Sequence, residues 1–106
     1  MKRAEVYWID FGPSRGGEIQ KMRPAVIVSN EHSNRSLNRV QVIPLSTRVE
    51  KVYPSEALVT VHGKQSKAMA DQIMTVSKER LKNKIGKVSV GQMSAVERAL
   101  RIQLDL

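Results

Sequence analysis

Apolar and polar positions change rhythm several times along the chain, and each change marks an element. Ala4–Phe11 (AEVYWIDF) is rich in β-branched and aromatic residues and reads as a strand. Gly12–Met22 (GPSRGGEIQKM) follows, with three glycines and a proline, and reads as a long open loop. Pro24–Asn30 (PAVIVSN) is a second strand, so nearly all apolar that it should be covered on both faces. Glu31–Asn38 is a polar loop. Arg39–Thr47 is a third strand in which Val40 and Val42 alternate with Gln41, and Pro44 places its far half at an edge or a bulge. Glu56–Gly63 is a fourth strand that ends in a turn at HGKQ. Ser66–Ser77 is a fifth, broken near Asp71–Gln72. Ser77–Asn83 fits one or two turns of helix, and Lys84–Ser89 a short strand.

The C-terminal segment has helical period instead. Ser89 is followed three residues later by Gln92, the spacing of a capping box that satisfies two orphan backbone donors. Val88 and Met93 occupy the positions of a hydrophobic staple. Met93, Val96, Leu100 and Leu104 then recur at spacings of three and four and make one apolar stripe, with Arg98 and Arg101 off it. Five or six short strands and one late helix predict a small, strongly curved sheet or barrel with a helix closing one end.

Composition narrows the class. The 106 residues suit one domain over residues 1–106, and 41% apolar residues suit a folded one. The chain lacks cysteine, which excludes disulfides and thiolate metal sites. Its apolar runs fall short of the roughly 20 residues that span a bilayer. The start, MKRAEVYW, has neither an apolar targeting core nor a small-residue cleavage site. The expectation is a soluble cytoplasmic protein without membrane association. A net charge of +8 favours a polyanionic partner: nucleic acid, a membrane surface or an acidic protein. With aromatics at 4%, a sheet of stacked aromatic platforms is not available.

The chemistry is bounded by elimination. His32 and His62 lack ligand spacing, and convergent acidic pairs are missing, so neither a metal nor a cofactor is expected. There is no glycine-rich strand-to-helix turn and no G-x-S-x-G elbow. What remains is a set of polar residues at strand mouths. Arg23 precedes the second strand, Ser46 and Thr47 end the third, Asp71 and Gln72 interrupt the fifth, and Glu18 lies five residues before Arg23. Gathered on one rim, they suit phosphoryl transfer without metal. An arginine fork holds two phosphate oxygens, a hydroxyl donates a further bond, and a carboxylate takes a proton from a nucleophilic hydroxyl. RNA carries that nucleophile as its ribose 2′-hydroxyl. Taken singly, each residue also fits a plain role: Arg23 a surface charge, Ser46 and Thr47 turn residues, Glu18 a solvated loop acid, Asp71 a bulge.

The order of these features resembles the MazF/PemK family of toxin endoribonucleases from bacterial type II toxin–antitoxin pairs. Asp10, Pro13, Gly16 or Gly17, Glu18, Arg23 and Pro24 fill a D-x-x-P-x-x-G-x-E loop and an R-P strand opening. VIPLST, ADQIMTVSKERL and KIGKVSVGQMSAVERAL are similar to the family's later segments, in the same order. The resemblance implies a small SH3-like barrel of the CcdB/MazF type, mainly β with short helices and a C-terminal helix. It implies a homodimer that cuts single-stranded mRNA at short sequences without metal, leaving a 2′,3′-cyclic phosphate and a 5′-hydroxyl. It also implies a cognate MazE-like antitoxin with an acidic tail, which agrees with the basic charge. By position, Arg23 is the family's catalytic arginine. Ser46 falls where the family generally has a catalytic threonine, with Thr47 one residue on, and either could supply the hydroxyl. Glu18 matches an acid that some members use as base, and Asp71–Gln72 match a pair near the groove. Arg15, Gln20, Lys21, Arg48 and Lys51 are the remaining residues expected to contact RNA. Met69 stands where some relatives carry an arginine, which raises the weight on Arg23. Two other classes fit the same fold. A gyrase-poisoning toxin would not need the Arg23–Ser46 pair, and a non-catalytic nucleic-acid-binding module would not need Ser46.

Overall fold

The computed structural model describes residues 1–12, 16 and 22–106. Among them are seven strands: β1 (Glu5–Asp10), β2 (Met22–Ile27), β3 (Arg39–Ser46), β4 (Glu56–Val61), β5 (Lys64–Met69), β6 (Met74–Ser77) and β7 (Leu81–Lys87). Two α-helices accompany them, α1 (Glu31–Ser36) and α2 (Val90–Leu104). Short 3-10 turns at Ala70–Gln72 and Lys78–Arg80 flank β6. All the strand pairings are antiparallel, in the order β4-β5-β3-β2-β1-β7, with β6 also on β3.

Strand β2 is covered on both faces, as its unbroken apolar run implies. Side chains alternate across a strand. Val26 and Val28 therefore enter one core cluster with Ile43, Leu45, Val59 and Val96. Ala25 and Ile27 enter a second with Ile9, Val40, Val42, Val76 and Leu81. The first cluster is closed by α2, whose Met93, Val96 and Ala99 are buried. The two ends of the sheet also meet. The hairpin joining β4 to β5 turns on His62 and Gly63, both at positive φ, as a two-residue turn requires. Its end lies on β7: a Cβ on Gly86 would stand 3.1 Å from Val61 Cγ1, so the close approach needs glycine there. The His62 ring Nε2–H donates to the Ile85 carbonyl. The sheet is thus curled into a half-barrel.

Several expectations are corrected. Pro44 lies at neither an edge nor a bulge; it is buried in the most connected strand, in register with Ala25. Its missing N–H is tolerated because β6 pairs β3 only over Arg39–Val42 and β5 only at Leu45–Ser46, which leaves position 44 between them. The polar loop Glu31–Asn38 contains α1, capped by Asn30 Oδ1 accepting the Ser33 N–H at 2.8 Å. Ser77–Asn83 holds one 3-10 turn, and β7 begins at Leu81. The capping box of α2 is half made. Ser89 accepts the Gln92 N–H, but the Gln92 side chain crosses to β4 and accepts the Thr60 N–H at 3.0 Å. Leu104 is 49% exposed rather than part of the stripe.

Candidate active site

The pairing of three central strands sets out a row of side chains. Ala25 stands opposite Pro44, so the same register carried two residues further brings Arg23 opposite Ser46. On the other side of β3, Ser46 is paired with Lys67 of β5, and Lys67 in turn with Leu58 of β4. On the β1 side, Arg23 is paired with Ile9. Alternation places Arg23, Ser46 and Lys67 on one face, the one that carries the Ala25–Ile27 cluster. Ser46 is thus paired with one cation, Lys67, and the continued register sets the second, Arg23, on its other side.

The three differ in their bonding. Ser46 is 7% exposed, and its Oγ accepts the Arg48 N–H at 3.2 Å, which leaves its O–H free to donate. Lys67 is 8% exposed; its Nζ donates to the Lys51 carbonyl at 2.8 Å and to Glu56 Oε1 at 3.0 Å. Arg23 is half-buried, and its Nε is buried with no hydrogen-bond acceptor among the described residues. Pro24, with φ fixed by its ring, holds Arg23 in extended backbone at the strand mouth.

Thr47 shares a pocket with Arg23 that Ser46 does not line. It is exposed and lines a pocket of about 310 Å³ with Trp8, Met22, Arg23, Pro24, Leu45, Lys64 and Ser66. Several of these, Leu45 among them, belong to the opposite face of the sheet. Arg23 is therefore bordered by both candidate hydroxyls, with Ser46 on its own face and Thr47 around the strand edge.

The other expected residues divide. Arg48 and Lys51 are exposed on the segment between Ser46 and β4, close to the row. Asp71 and Gln72 sit in the 3-10 turn that carries the chain from β5 to β6, packed by α2. Among the described residues neither forms a hydrogen bond or ion pair with Arg23, Ser46 or Thr47, and neither lines the pocket. Arg15, Glu18, Gln20 and Lys21 lie outside the described residues. Beside them, Asp10 Oδ1 accepts the Gly12 N–H at 2.9 Å. No three histidine, aspartate or glutamate side chains among the described residues are grouped to hold a metal ion. No helix among them is long and apolar enough to cross a membrane.

Sequence reading missed Lys67, Tyr53 and Trp8. Tyr53 is 53% exposed, with Lys51 Nζ 5.8 Å and Lys67 Nζ 5.7 Å from its ring centre. Trp8 is 42% exposed at the pocket.

This curled antiparallel sheet closed by a C-terminal helix, with an arginine at the mouth of β2, matches known proteins over its whole length. Residues 2–104 match the family described as PemK-like, MazF-like toxin of type II toxin–antitoxin system. The chain belongs to that family. It is 38% identical to the endoribonuclease MazF9 of Mycobacterium tuberculosis, over all of this chain and 98% of that protein. Among solved structures, a mycobacterial endoribonuclease in complex with its cognate antitoxin superposes with a TM-score of 0.85 at 27% identity, covering all of this chain and 96% of that one. MazF from Deinococcus radiodurans shares the fold, with a TM-score of 0.86 at 22% identity over all of this chain and 97% of that one. The barrel with a C-terminal helix expected from the sequence is the MazF fold.

Proposed function

We propose that this PemK/MazF-family chain is an endoribonuclease toxin that cuts single-stranded mRNA at short sequences, without metal, as a cytoplasmic homodimer. The observation that carries the chemistry is the Arg23 guanidinium, whose buried Nε is unpartnered among the described residues; Arg23 and the buried Ser46 each lie two residues beyond the last β2–β3 pair, Ala25 with Pro44. A buried polar group without a partner costs free energy, about 1–3 kcal/mol and more for a charged one. A phosphate diester at the strand mouth would meet the accessible part of the guanidinium and receive a cation and a hydroxyl donor together.

The step balances without a metal. The ribose 2′-oxygen attacks the adjacent phosphorus and a 2′-O–P bond forms. The P–O5′ bond breaks, leaving a 2′,3′-cyclic phosphate and a 5′-hydroxyl. The 2′-hydroxyl proton goes to a base, for which Glu18 is the candidate, and the departing 5′-oxygen takes a proton from an acid. Arg23 offsets the charge that grows on the phosphoryl oxygens, and Ser46 donates to one of them. The exposed Arg48 and Lys51 meet flanking phosphates. An acidic antitoxin peptide on the same face would compete for these cations, and a net charge of +8 favours it.

The deciding experiment incubates purified protein with a long RNA in EDTA and sequences the new 5′-hydroxyl ends. Cleavage at a recurring short sequence is the expected result. Intact RNA, or ends carrying 5′-phosphate, would refute the reading, and RNA left intact while gyrase is inhibited would assign the chain to the gyrase-poisoning class.

A further inference from the structure

Lys67 is a buried lysine on β5, and its ammonium is held by Glu56 at the start of β4 and by the chain segment that follows Ser46. The nine residues from Thr47 to Ser55 have no strand or helix of their own. Their backbone is instead held from beside the row. Lys67 Nζ donates to the Lys51 carbonyl, and Glu56 Oε1 accepts both Lys67 Nζ and the Tyr53 N–H, the latter at 2.9 Å. The Glu56 N–H closes the turn onto the Tyr53 carbonyl. Lys67 and Glu56 side chains are 11% and 9% exposed, so water does little to loosen the pair. Arg48, Lys51 and Tyr53, three of the segment's exposed residues, are thereby fixed relative to Ser46, whose strand partner is Lys67 itself.

We infer that Lys67 and Glu56 are positioning residues that set the RNA-reading wall of the site by anchoring the Thr47–Ser55 segment to β5. The inference rests on the endoribonuclease reading and adds a residue pair to it. RNA sequence is read from unstacked bases by side-chain edges and aromatic faces. A segment without regular backbone bonding can do this reproducibly only when something pre-orders it. The buried ammonium supplies that order at the carbonyl of Lys51, while Glu56 supplies it at the amide of Tyr53.

The test compares wild type with Lys67→Met/Glu56→Gln. The substituted pair is uncharged, leaves no unpaired buried charge, and keeps an acceptor for the Tyr53 N–H. The hold on Lys51, the ion pair and the ammonium's contact with the Tyr53 ring are removed together. On an RNA bearing the mapped wild-type site, KM is expected to rise at least fivefold with kcat within twofold. The 5′-hydroxyl ends from a long RNA are expected to spread over more sequences. A folded variant with unchanged KM and unchanged ends overturns the inference. A fall in kcat at unchanged KM also overturns it, because Lys67 would then act on the reacting atoms. If the double variant does not fold, Glu56→Gln alone decides: a smaller rise in KM supports the inference, and wild-type kinetics refute it. Failure of the endoribonuclease reading looks different, since wild type itself would then leave RNA uncut.

Discussion

Two cations flank Ser46 on one face of the sheet, and the molecule treats them in opposite ways. Lys67 is enclosed and satisfied, with a carboxylate and a backbone carbonyl for its ammonium. Arg23 is half-buried, and its Nε has no acceptor among the described residues. Charges are not buried without partners unless something else repays the cost. The satisfied cation belongs to the architecture, while the half-buried one keeps a donor open, which the proposed function assigns to a phosphate. Substitutions in the strand, at the arginine and at the two hydroxyls pull these roles apart.

The largest effect should come from the mount that both share. Val26 is fully buried in the cluster closed by α2, on the face opposite Arg23. Val26→Asp puts a carboxylate into that apolar core, a cost above about 4 kcal/mol, and should leave the chain unfolded by circular dichroism. Both cations then lose their geometry together. A folded Val26→Asp protein would mean that β2 is not the rigid support the contrast presumes.

Arg23→Ala separates the two cations. It removes a group with no Nε partner among the described residues, so the thermal midpoint should hold within a few degrees. Cleavage should nevertheless fall roughly a hundredfold or more, the ~3 kcal/mol typical of losing a donor aimed at transition-state charge. A loss below about tenfold would make Arg23 a binding group only. Lysine should not rescue it, because a single ammonium lacks the planar fork.

A smaller effect tells which hydroxyl partners Arg23. Ser46 shares its face and has a free O–H, whereas Thr47 faces the pocket by Trp8. Ser46→Ala should cost about 1.5–3 kcal/mol in kcat/KM, the worth of a hydrogen bond to a charged group. Thr47→Ala should stay within about threefold. Reversed magnitudes would move the reacting phosphate around the strand edge.

Much of this could be read from the chain. The apolar run of β2 gave a strand buried on both faces, and Pro24 fixed Arg23 at its mouth. Other parts were hidden for physical reasons. The α1 helix is six residues long and polar throughout, so it has no apolar stripe to betray it. Gln92 had the right spacing for a capping box, but a strand brought Thr60 within reach and took its side chain. Pro44 misled because its gap between two partner strands is a property of pairing, not of local sequence. Lys67 was legible in principle. A two-residue turn at His62–Gly63 pairs Val61 with Lys64, and counting on places Lys67 opposite Leu58, diagonal to Glu56. What turns that diagonal into an anchor is the Thr47–Ser55 segment, which brings the Lys51 carbonyl to Lys67 and the Tyr53 N–H to Glu56.

The smallest effect concerns an anion that is as well satisfied as Lys67, and it extends the contrast to pH. Glu5 is buried on β1. Burial alone would raise its pKa. Hydrogen bonds from the Lys84 ammonium at 2.8 Å, the Lys2 N–H at 2.7 Å and the Tyr7 hydroxyl at 3.1 Å outweigh burial and hold it at about 2, down from 4.5. The unfolded chain keeps the ordinary value, so between pH 4.5 and 2 it binds a proton that the folded chain refuses. The stability that Glu5 contributes is therefore complete above about pH 4.5 and drains away as pH falls toward 2. Glu5→Gln cannot titrate. The gap in thermal midpoint between wild type and Glu5→Gln should be widest near pH 6 and should narrow steadily down to pH 2. A gap that stays constant over that range would show that Glu5 matters through packing rather than charge. It would then resemble Lys67 in burial without resembling it in bonding.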